Sequence, residues 1–340
     1  MSMKEMAAMA GAGARAGDEG SGKQRVLVLG ARGYVGARLV RRLAAGGFEP
    51  VAVSRGGGGD GVEWHRFDAG DGAALAAALK DVGAVVNCVA GSASDMVRVA
   101  RVLQACLMAM ALPPRLIHFS SMAVYGAGTG SIAEDHALDA SISAYAQAKV
   151  ECEDILAPVA DCWLLRPGCI YGPGSTQWSE RIARLLEQRR IGDLGAAGDG
   201  CSNLVYIEDV LDAVEAALRH DSLSAPRAVN LAMADAPSWN DYFMAYGRAL
   251  RAVPVPRLPR WRMKLEARVL APPLKILEIA ARRLGLRLDL PPPIPGSLQR
   301  LWAQDIRLDV RAAERLFGLN WTPLATGIAA SLPQVPEYPS

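Results

Sequence analysis

The stretch "RVLVLGARGYVG", residues 25–36, sets three glycines at three-residue spacing directly behind an apolar run of strand character. A tight turn alone needs one glycine, so the rhythm calls for a further reason. In a strand–turn–helix unit, Gly30 permits the sharp turn and Gly33 lets a ligand phosphate approach the backbone. Gly36, inside the helix, lets helix and strand pack closely. The helix N-terminus then offers free N–H groups and partial positive charge to a pyrophosphate. The spacing is G-x-x-G-x-x-G rather than the commoner G-x-G-x-x-G, and glycine supplies 34 of the 340 residues. The pattern therefore gains its weight from the elements downstream of it, a plain turn being the alternative.

Those elements are regular. Through residue 169 short apolar runs ("PVAVSR", the weaker "GVEWHRF", "AVVNCV", "RLIHFSS", "CWLLRPGCI") alternate with stretches of helical spacing, Tyr34 to Ala45, "DGAALAAALK", Asp95 to Leu112 and Tyr145 to Leu156. Alternating strands and helices with near-continuous apolar strands predict an α/β fold, a Rossmann-type doubly wound parallel sheet with right-handed crossovers. Such a sheet binds ligands outside the carboxyl ends of its strands. Beyond residue 172 prolines accumulate and break helices into short pieces, which predicts a smaller, mostly helical substrate lobe. The expected division is a disordered tail (1–22), a dinucleotide-binding domain (23–172), a substrate lobe (173–332, with 201–232 returning to the first domain) and a short tail (333–340).

Composition excludes several classes. Half of the chain is hydrophobic and the net charge is +2, which argues for a globular body and against a dedicated nucleic-acid binder. Six scattered cysteines form no C-x-x-C pair, and the four histidines show no ligand spacing. A reducing, cytoplasmic setting without disulfides or a metal site is expected. The N-terminal tail lacks the pattern of a secretory signal, and no run of about 18 apolar residues would span a bilayer.

The end of the second strand bears on the choice of dinucleotide. An acid there takes the ribose 2′-hydroxyl in NAD enzymes. Here stand Ser54 and Arg55, with Arg32 in the glycine loop; two guanidiniums and a hydroxyl suit a 2′-phosphate. NADP(H) is thus expected over NAD(H), with solvated arginines as the alternative. In "FDAGD" Asp68 is a candidate for the adenine amine, and Asp71 for the cap of the next helix.

The chemistry is suggested downstream. "AYAQAKV" puts Tyr145 and Lys149 four apart on one helix face, and "HFSSMAVYG" puts Ser120 and Ser121 at a strand end. An unperturbed phenol, near pKa 10, is a poor base at neutral pH. A neighbouring ammonium and an oxidised nicotinamide favour its phenolate, which can then trade a proton with a substrate oxygen. Ser121 can hydrogen-bond that oxygen as charge develops on it, and Lys149 can also hold the nicotinamide ribose.

These pieces, with "RPGCIYGPG", "NLVYIEDVLDAV", "AVNLA" and "LNWTPLATGI", occur in the order found in the extended short-chain dehydrogenase/reductases, the NAD(P)-dependent epimerase/dehydratase family, which the chain resembles from residue 25 to about 330. The resemblance implies Ser121, rather than Ser120, as catalytic serine, with Tyr145 and Lys149 as catalytic tyrosine and lysine. It implies cofactor contacts from Gly30, Arg32, Gly33, Tyr34, Val35, Gly36, Ser54, Arg55, Asp68, Val89, Ala90, Tyr145, Lys149, Pro167 and Gly168. Arg166 to Gly174 would close the cofactor site, and Asn203 to Asp209 would return toward the lobe. Where many sugar dehydratases and decarboxylases of the family carry carboxylates, this chain has Met122 and Ala123, which cannot move protons; elimination is disfavoured.

The expected function is an NADP(H)-dependent oxidoreductase transferring hydride at a ketone or secondary alcohol carbon. The alternatives are a nucleotide-sugar epimerase acting by transient oxidation and a non-catalytic NADP-binding regulator. The small-molecule substrate would meet Ser121, Met122, Tyr171, Gln177, Trp178 and Asn203, and a homodimer is among the assemblies expected. The segment 257–290 carries seven arginines and little acid among apolar residues. It reads first as packed helices with basic faces in water; an amphipathic lid and a peripheral membrane contact are the alternatives.

Overall fold

The computed structural model describes residues 23–332 apart from 60, 222, 224–226, 285 and 287–289, so both predicted tails lie outside the described residues. Eleven strands occur among the described residues: β1 (Arg25–Leu29), β2 (Glu49–Ser54), β3 (Glu63–Arg66), β4 (Ala84–Asn87), β5 (Arg115–Phe119), β6 (Gly130–Ile132), β7 (Cys162–Pro167), β8 (Cys169–Tyr171), β9 (Leu204–Tyr206), β10 (Arg227–Leu231) and β11 (Ile306–Leu308). Seven form one parallel sheet in the order β3-β2-β1-β4-β5-β7-β10. The chain winds outward from β1 to β3, then returns past β1 to build the other half from β4. The strand order therefore reverses between β1 and β4, and the ends of these two strands make the crevice where such sheets take ligands.

Helices α1 (Tyr34–Ala45), α2 (Gly72–Ala78), α3 (Ala93–Met108), α4 (Ala144–Leu156), α5 (Arg181–Glu187), α6 (Ile207–Arg219) and α7 (Trp239–Ala249) follow in chain order. Alternation along the strands supplies both faces of the sheet. Val26, Val28, Ile117 and Leu165 pack with Leu39 and Leu43 of α1 and Val210 and Val214 of α6. Leu27, Leu29, Val85 and Leu116 pack on the other face with Leu75, Val99, Leu103 and Leu156 of α2, α3 and α4. Segment 207–231 thus returns to the sheet, contributing α6 to one face and β10 to the edge.

Two boundaries differ from the sequence reading. Helix α3 starts at Ala93 because the Ser92 hydroxyl accepts the Asp95 amide at 3.1 Å, and it ends at Met108 rather than Leu112. "CWLLRPGCI" is two strands, not one: Gly168 breaks it, and β8 pairs with β9 instead of continuing in the main sheet. A Cβ at Gly168 would lie 2.0 Å from the Asn203 carbonyl oxygen, so glycine is what lets the two segments meet. Beyond β8 a second core gathers Tyr171, Trp239, Tyr242, Phe243, Tyr246 and Trp302. Its rings meet in stacked, tilted and edge contacts, such as Tyr242 stacked on Tyr246 and Phe243 edge-on to Trp302 with centroids 5.3 Å apart.

Candidate active site

At the β1 turn, Gly30 has φ +76°, and a Cβ on it would sit 2.9 Å from the Cys88 carbonyl oxygen. A Cβ on Gly36 would sit 2.4 Å from the Gly30 carbonyl oxygen, so α1 leans directly on the turn. Gly33 is the N-cap of α1 and brings no capping side chain, which leaves first-turn amides free for a ligand. Two cavities open here. One, about 460 Å³, is lined by Gly30, Arg32, Gly33, Ser54, Arg55 and Asp68 among others. The other, about 630 Å³, is lined by Tyr34, Val35, Ser121, Tyr145, Lys149, Pro167 and Gly168 among others. Cys88, Val89 and Ala90 line both, so the two are halves of one trough across the switch point. A turn that Cβ atoms would fill, free helix amides and a two-lobed trough fit an extended dinucleotide. Gly36 itself is buried beneath the turn.

At the first lobe Ser54 Oγ donates to the Gly57 carbonyl at 3.2 Å and Arg32 Nη1 to the same oxygen at 3.4 Å. Among the described residues neither Arg32 nor Arg55 is ion-paired to a carboxylate, and both line the cavity. Asp68 is engaged: its Oδ1 accepts the Gly70 amide at 2.8 Å and Arg98 Nη1 at 3.0 Å, which together hold its carboxyl below the usual range. Arg98, which the sequence reading missed, also donates to Asp95 at 3.1 Å and lines the lobe. Asp71 accepts the Ala73 and Ala74 amides and caps α2.

At the second lobe Ser143 caps α4 by accepting the Ala146 amide at 3.1 Å, and this sets the register of Tyr145 and Lys149 one turn apart. Lys149 is buried, and its Nζ donates to the Phe119 carbonyl at 2.6 Å while standing 5.8 Å from the Tyr145 ring centroid. Tyr145 is 45% exposed, its ring a wall of the cavity. Burial raises its phenol above the ordinary value, with the Ser121 hydroxyl acting the other way. Burial likewise lowers Lys149. The phenolate expected from the sequence calls for both a neighbouring ammonium and an oxidised nicotinamide; among the protein's own groups burial acts against it. Ser121 follows β5 and caps a short 3₁₀ turn, Met122–Tyr125, with its Oγ accepting the Ala123 amide at 3.2 Å. That leaves the hydroxyl proton free to donate.

Met122, Ala123, Gln177 and Trp178 line the same lobe. Three other expected positions stand elsewhere. Tyr171 is buried in the second core, where its ring packs against Tyr206 and Tyr242 and a Cβ at Gly327 would strike its hydroxyl. Asn203 is fully buried: its Nδ2 donates to the Ile306 carbonyl at 2.6 Å and its Oδ1 accepts the Leu308 amide at 2.9 Å, which clamps β11. Arg166 is buried against Glu153 and does not line the trough; only Pro167 to Ile170 of that loop do. Conversely Leu301, Gln304 and Ile306 line the lobe from far along the chain, Gln304 Nε2 donating to the Gly126 carbonyl at 2.8 Å. Among the described residues no cluster suits a metal ion, and no helix is long and apolar enough to cross a membrane.

A sequence profile described as the NAD dependent epimerase/dehydratase family matches residues 26–232. No curated protein is matched by sequence. Among solved structures, the chain is similar to UDP-glucuronic acid 4-epimerase from Bacillus cereus in complex with UDP-glucuronic acid and NAD, at 17% identity and TM-score 0.67, covering 91% of this chain and 98% of that one. It is similar to UDP-N-acetylglucosamine 4-epimerase from the same organism, at 16% identity and TM-score 0.64, covering 90% and 97%. The Bordetella bronchiseptica enzyme WbmH in complex with NAD+ matches at 17% identity and TM-score 0.64, covering 91% and 97%. At these identities the likeness is one of fold.

Proposed function

The chain belongs to the NAD dependent epimerase/dehydratase family, and from that premise we propose that it epimerises a sugar nucleotide by transient oxidation of one secondary alcohol carbon. The observation that carries this reading is the single trough that joins the glycine turn to Ser121, Tyr145 and Lys149 across Cys88–Ala90. Gly30, Gly33 and the first turn of α1 would hold the pyrophosphate of a nicotinamide dinucleotide, and Lys149 its ribose. When bound and oxidised, that group supplies a hydride acceptor and a positive charge. Beside that charge the Tyr145 phenol would release its own proton to solvent, and as phenolate it would take the proton of the substrate hydroxyl and later return it, while Ser121 would donate a hydrogen bond to the same oxygen. Met122 and Ala123 bring no carboxylate to the site, so the chemistry stops short of elimination. Relatives of the same fold solved with UDP sugars support a sugar nucleotide as substrate.

A second reading rests on one feature, the two arginines of the first lobe, which among the described residues have no carboxylate ion-pair partner, with Ser54 in place of an acid at the end of β2. They favour a 2′-phosphate, and with it a net NADP(H)-dependent reductase. One experiment separates the two. The protein is incubated with UDP-glucose, UDP-glucuronic acid and UDP-N-acetylglucosamine, each with catalytic NAD+ or NADP+, and the sugars are resolved by chromatography while absorbance at the nicotinamide band is followed. Isomer formed without net cofactor change supports epimerisation. Stoichiometric NADPH consumption with a ketone panel, and no isomer, would replace it with the reductase.

A further inference from the structure

The helical segment that follows Pro259 consists of α8 (Arg260–Leu265), a wider turn at Glu266–Leu270 and α9 (Ala271–Arg283), with a hydrophobic ridge on its outer side. Its inner side is firmly seated. Met263, Glu266 and Ala271 are buried, Glu266 accepts Arg190 Nε at 3.0 Å and Nη2 at 2.5 Å, and Gln299 Nε2 donates to the Met263 carbonyl at 2.6 Å. The outer side is apolar all the same: Trp261 is 67% exposed, Ile276 67% and Leu284 72%, with Leu265, Val269 and Ile279 exposed between them. Nine of the fourteen large exposed hydrophobics of the described chain lie between residues 261 and 286. Isolated exposed apolar residues need no explanation; a contiguous ridge on a docked helix does.

Charge points to the occupant. Arg260, Lys264 and Arg268 are exposed beside the ridge, and none is ion-paired among the described residues. The segment's two acids are engaged, Glu266 inward with Arg190 and Glu278 with Lys275. An apolar strip carrying an exposed tryptophan and bordered by cations matches the boundary between anionic headgroups and acyl chains. A second copy of this chain fits less well, because a two-fold contact would set these cations against their own copies. We propose that the outer face of residues 261–284 docks on a bilayer surface containing anionic lipid. The same helix walls a cavity with Leu274, Lys275 and Ala281, shared with Thr176 and Gln177, which also line the second lobe of the trough. Docking therefore holds the substrate side of the cleft beside the membrane.

The test is flotation of the full chain with vesicles of phosphatidylglycerol and phosphatidylcholine in equal parts, against phosphatidylcholine alone. Binding to the anionic vesicles, weakened by salt and reduced tenfold or more in the Trp261→Glu/Ile276→Glu variant and in the Arg260→Glu/Lys264→Glu/Arg268→Glu variant, is expected. Circular dichroism and dinucleotide binding report whether the variants fold. Independently of folding, bromine-labelled phosphatidylglycerol should quench the wild type more than a Trp261→Phe variant. No flotation, flotation unchanged in folded variants, or a dimer in light scattering that these substitutions dissolve without any vesicle binding would overturn the proposal.

Discussion

Arg166 on β7 and Glu153 on α4 form a two-pronged buried pair, Nε to Oε1 at 2.9 Å and Nη2 to Oε2 at 2.6 Å. Glu153 lies one turn beyond Lys149, so the pair ties the helix of Tyr145 and Lys149 to the strand whose end, Pro167, walls the trough. Ser120 Oγ donates to the same carboxylate, and Arg166 Nη1 donates to the Tyr125 hydroxyl at 2.8 Å, which in turn donates to Asn230 Oδ1 at 2.7 Å.

Removing one partner strands a buried charge and costs about 3–5 kcal/mol, whereas replacing both by apolar groups is often close to neutral. Arg166→Met should therefore lower the unfolding free energy from urea titration by that much, and Arg166→Met with Glu153→Leu should recover a large part of the loss. Additive losses in the double variant would show that the two side chains do not act as a pair.

Tyr145→Phe removes the one hydroxyl of α4 that faces the trough while leaving its wall intact. Turnover should fall by about 10²–10⁴-fold, the usual contribution of a positioned acid/base. Dinucleotide affinity by calorimetry should change little. An unaltered rate would remove the phenol from the mechanism.

The three glycines do different work, which paired substitutions can separate. A Cβ at Gly36 collides with backbone at 2.4 Å, so Gly36→Val should lower the thermal midpoint by several degrees. At Gly33 the nearest neighbour of a Cβ is the Gly30 carbonyl oxygen at 3.2 Å, and its remaining surroundings are cavity. Gly33→Val should fold with a near-native midpoint and lose dinucleotide binding, as followed by nicotinamide-nucleotide titration.

Local pattern made the sheet and the trough readable. Gly30 to Gly36 are consecutive in the chain, and Ser143, Tyr145 and Lys149 belong to one helix start, so their spatial relation follows from turn and helix geometry alone. Residues that depend on long-range closure were not readable. Gln304 and Ile306 reach the second lobe only because Asn203 clamps β11, and nothing near them in sequence signals it. Tyr171 and Asn203 sit in suggestive motifs, yet their neighbours turn them inward, the tyrosine to the aromatic core and the asparagine to backbone groups. Arg98 escaped notice because a helical arginine has no local mark; its place is set by Asp68 from 30 positions away.

The arginines at the first lobe make cofactor choice measurable. A charge-assisted hydrogen bond contributes about 1.5–3 kcal/mol, roughly a tenfold effect or more. Arg55→Asp should weaken NADPH by at least that factor while leaving NADH nearly unchanged, by fluorescence titration of each. Equal losses would mean that Arg55 is only a surface charge.

Acid stability offers a test of a buried group that no function claims. His118, on β5, is buried, with Asn87 on the neighbouring β4 as its partner. Asn87 Oδ1 accepts the Val89 amide, so its Nδ2 donates to His118 Nδ1 at 3.1 Å and the imidazole is neutral, its proton on Nε2. Burial, and then the charge of Lys149, push the imidazole down to about 3. The unfolded chain takes up a proton near 6.5 that the folded chain refuses. Stability is therefore full above 6.5 and is lost as pH falls through the window toward 3, at up to about 1.4 kcal/mol per pH unit. The carboxyls held low by hydrogen bonds, Glu63, Asp68, Asp95, Asp139 and Asp309, add their losses only below the ordinary carboxylate range, while Asp209, held high by burial, acts the other way. Between about pH 6.5 and 5 the slope should then belong largely to His118. His118→Gln keeps an acceptor for the Asn87 amide and removes the proton, so its urea midpoint should be flatter with pH across that interval than the wild type's; parallel slopes would show that the imidazole is protonated in the fold.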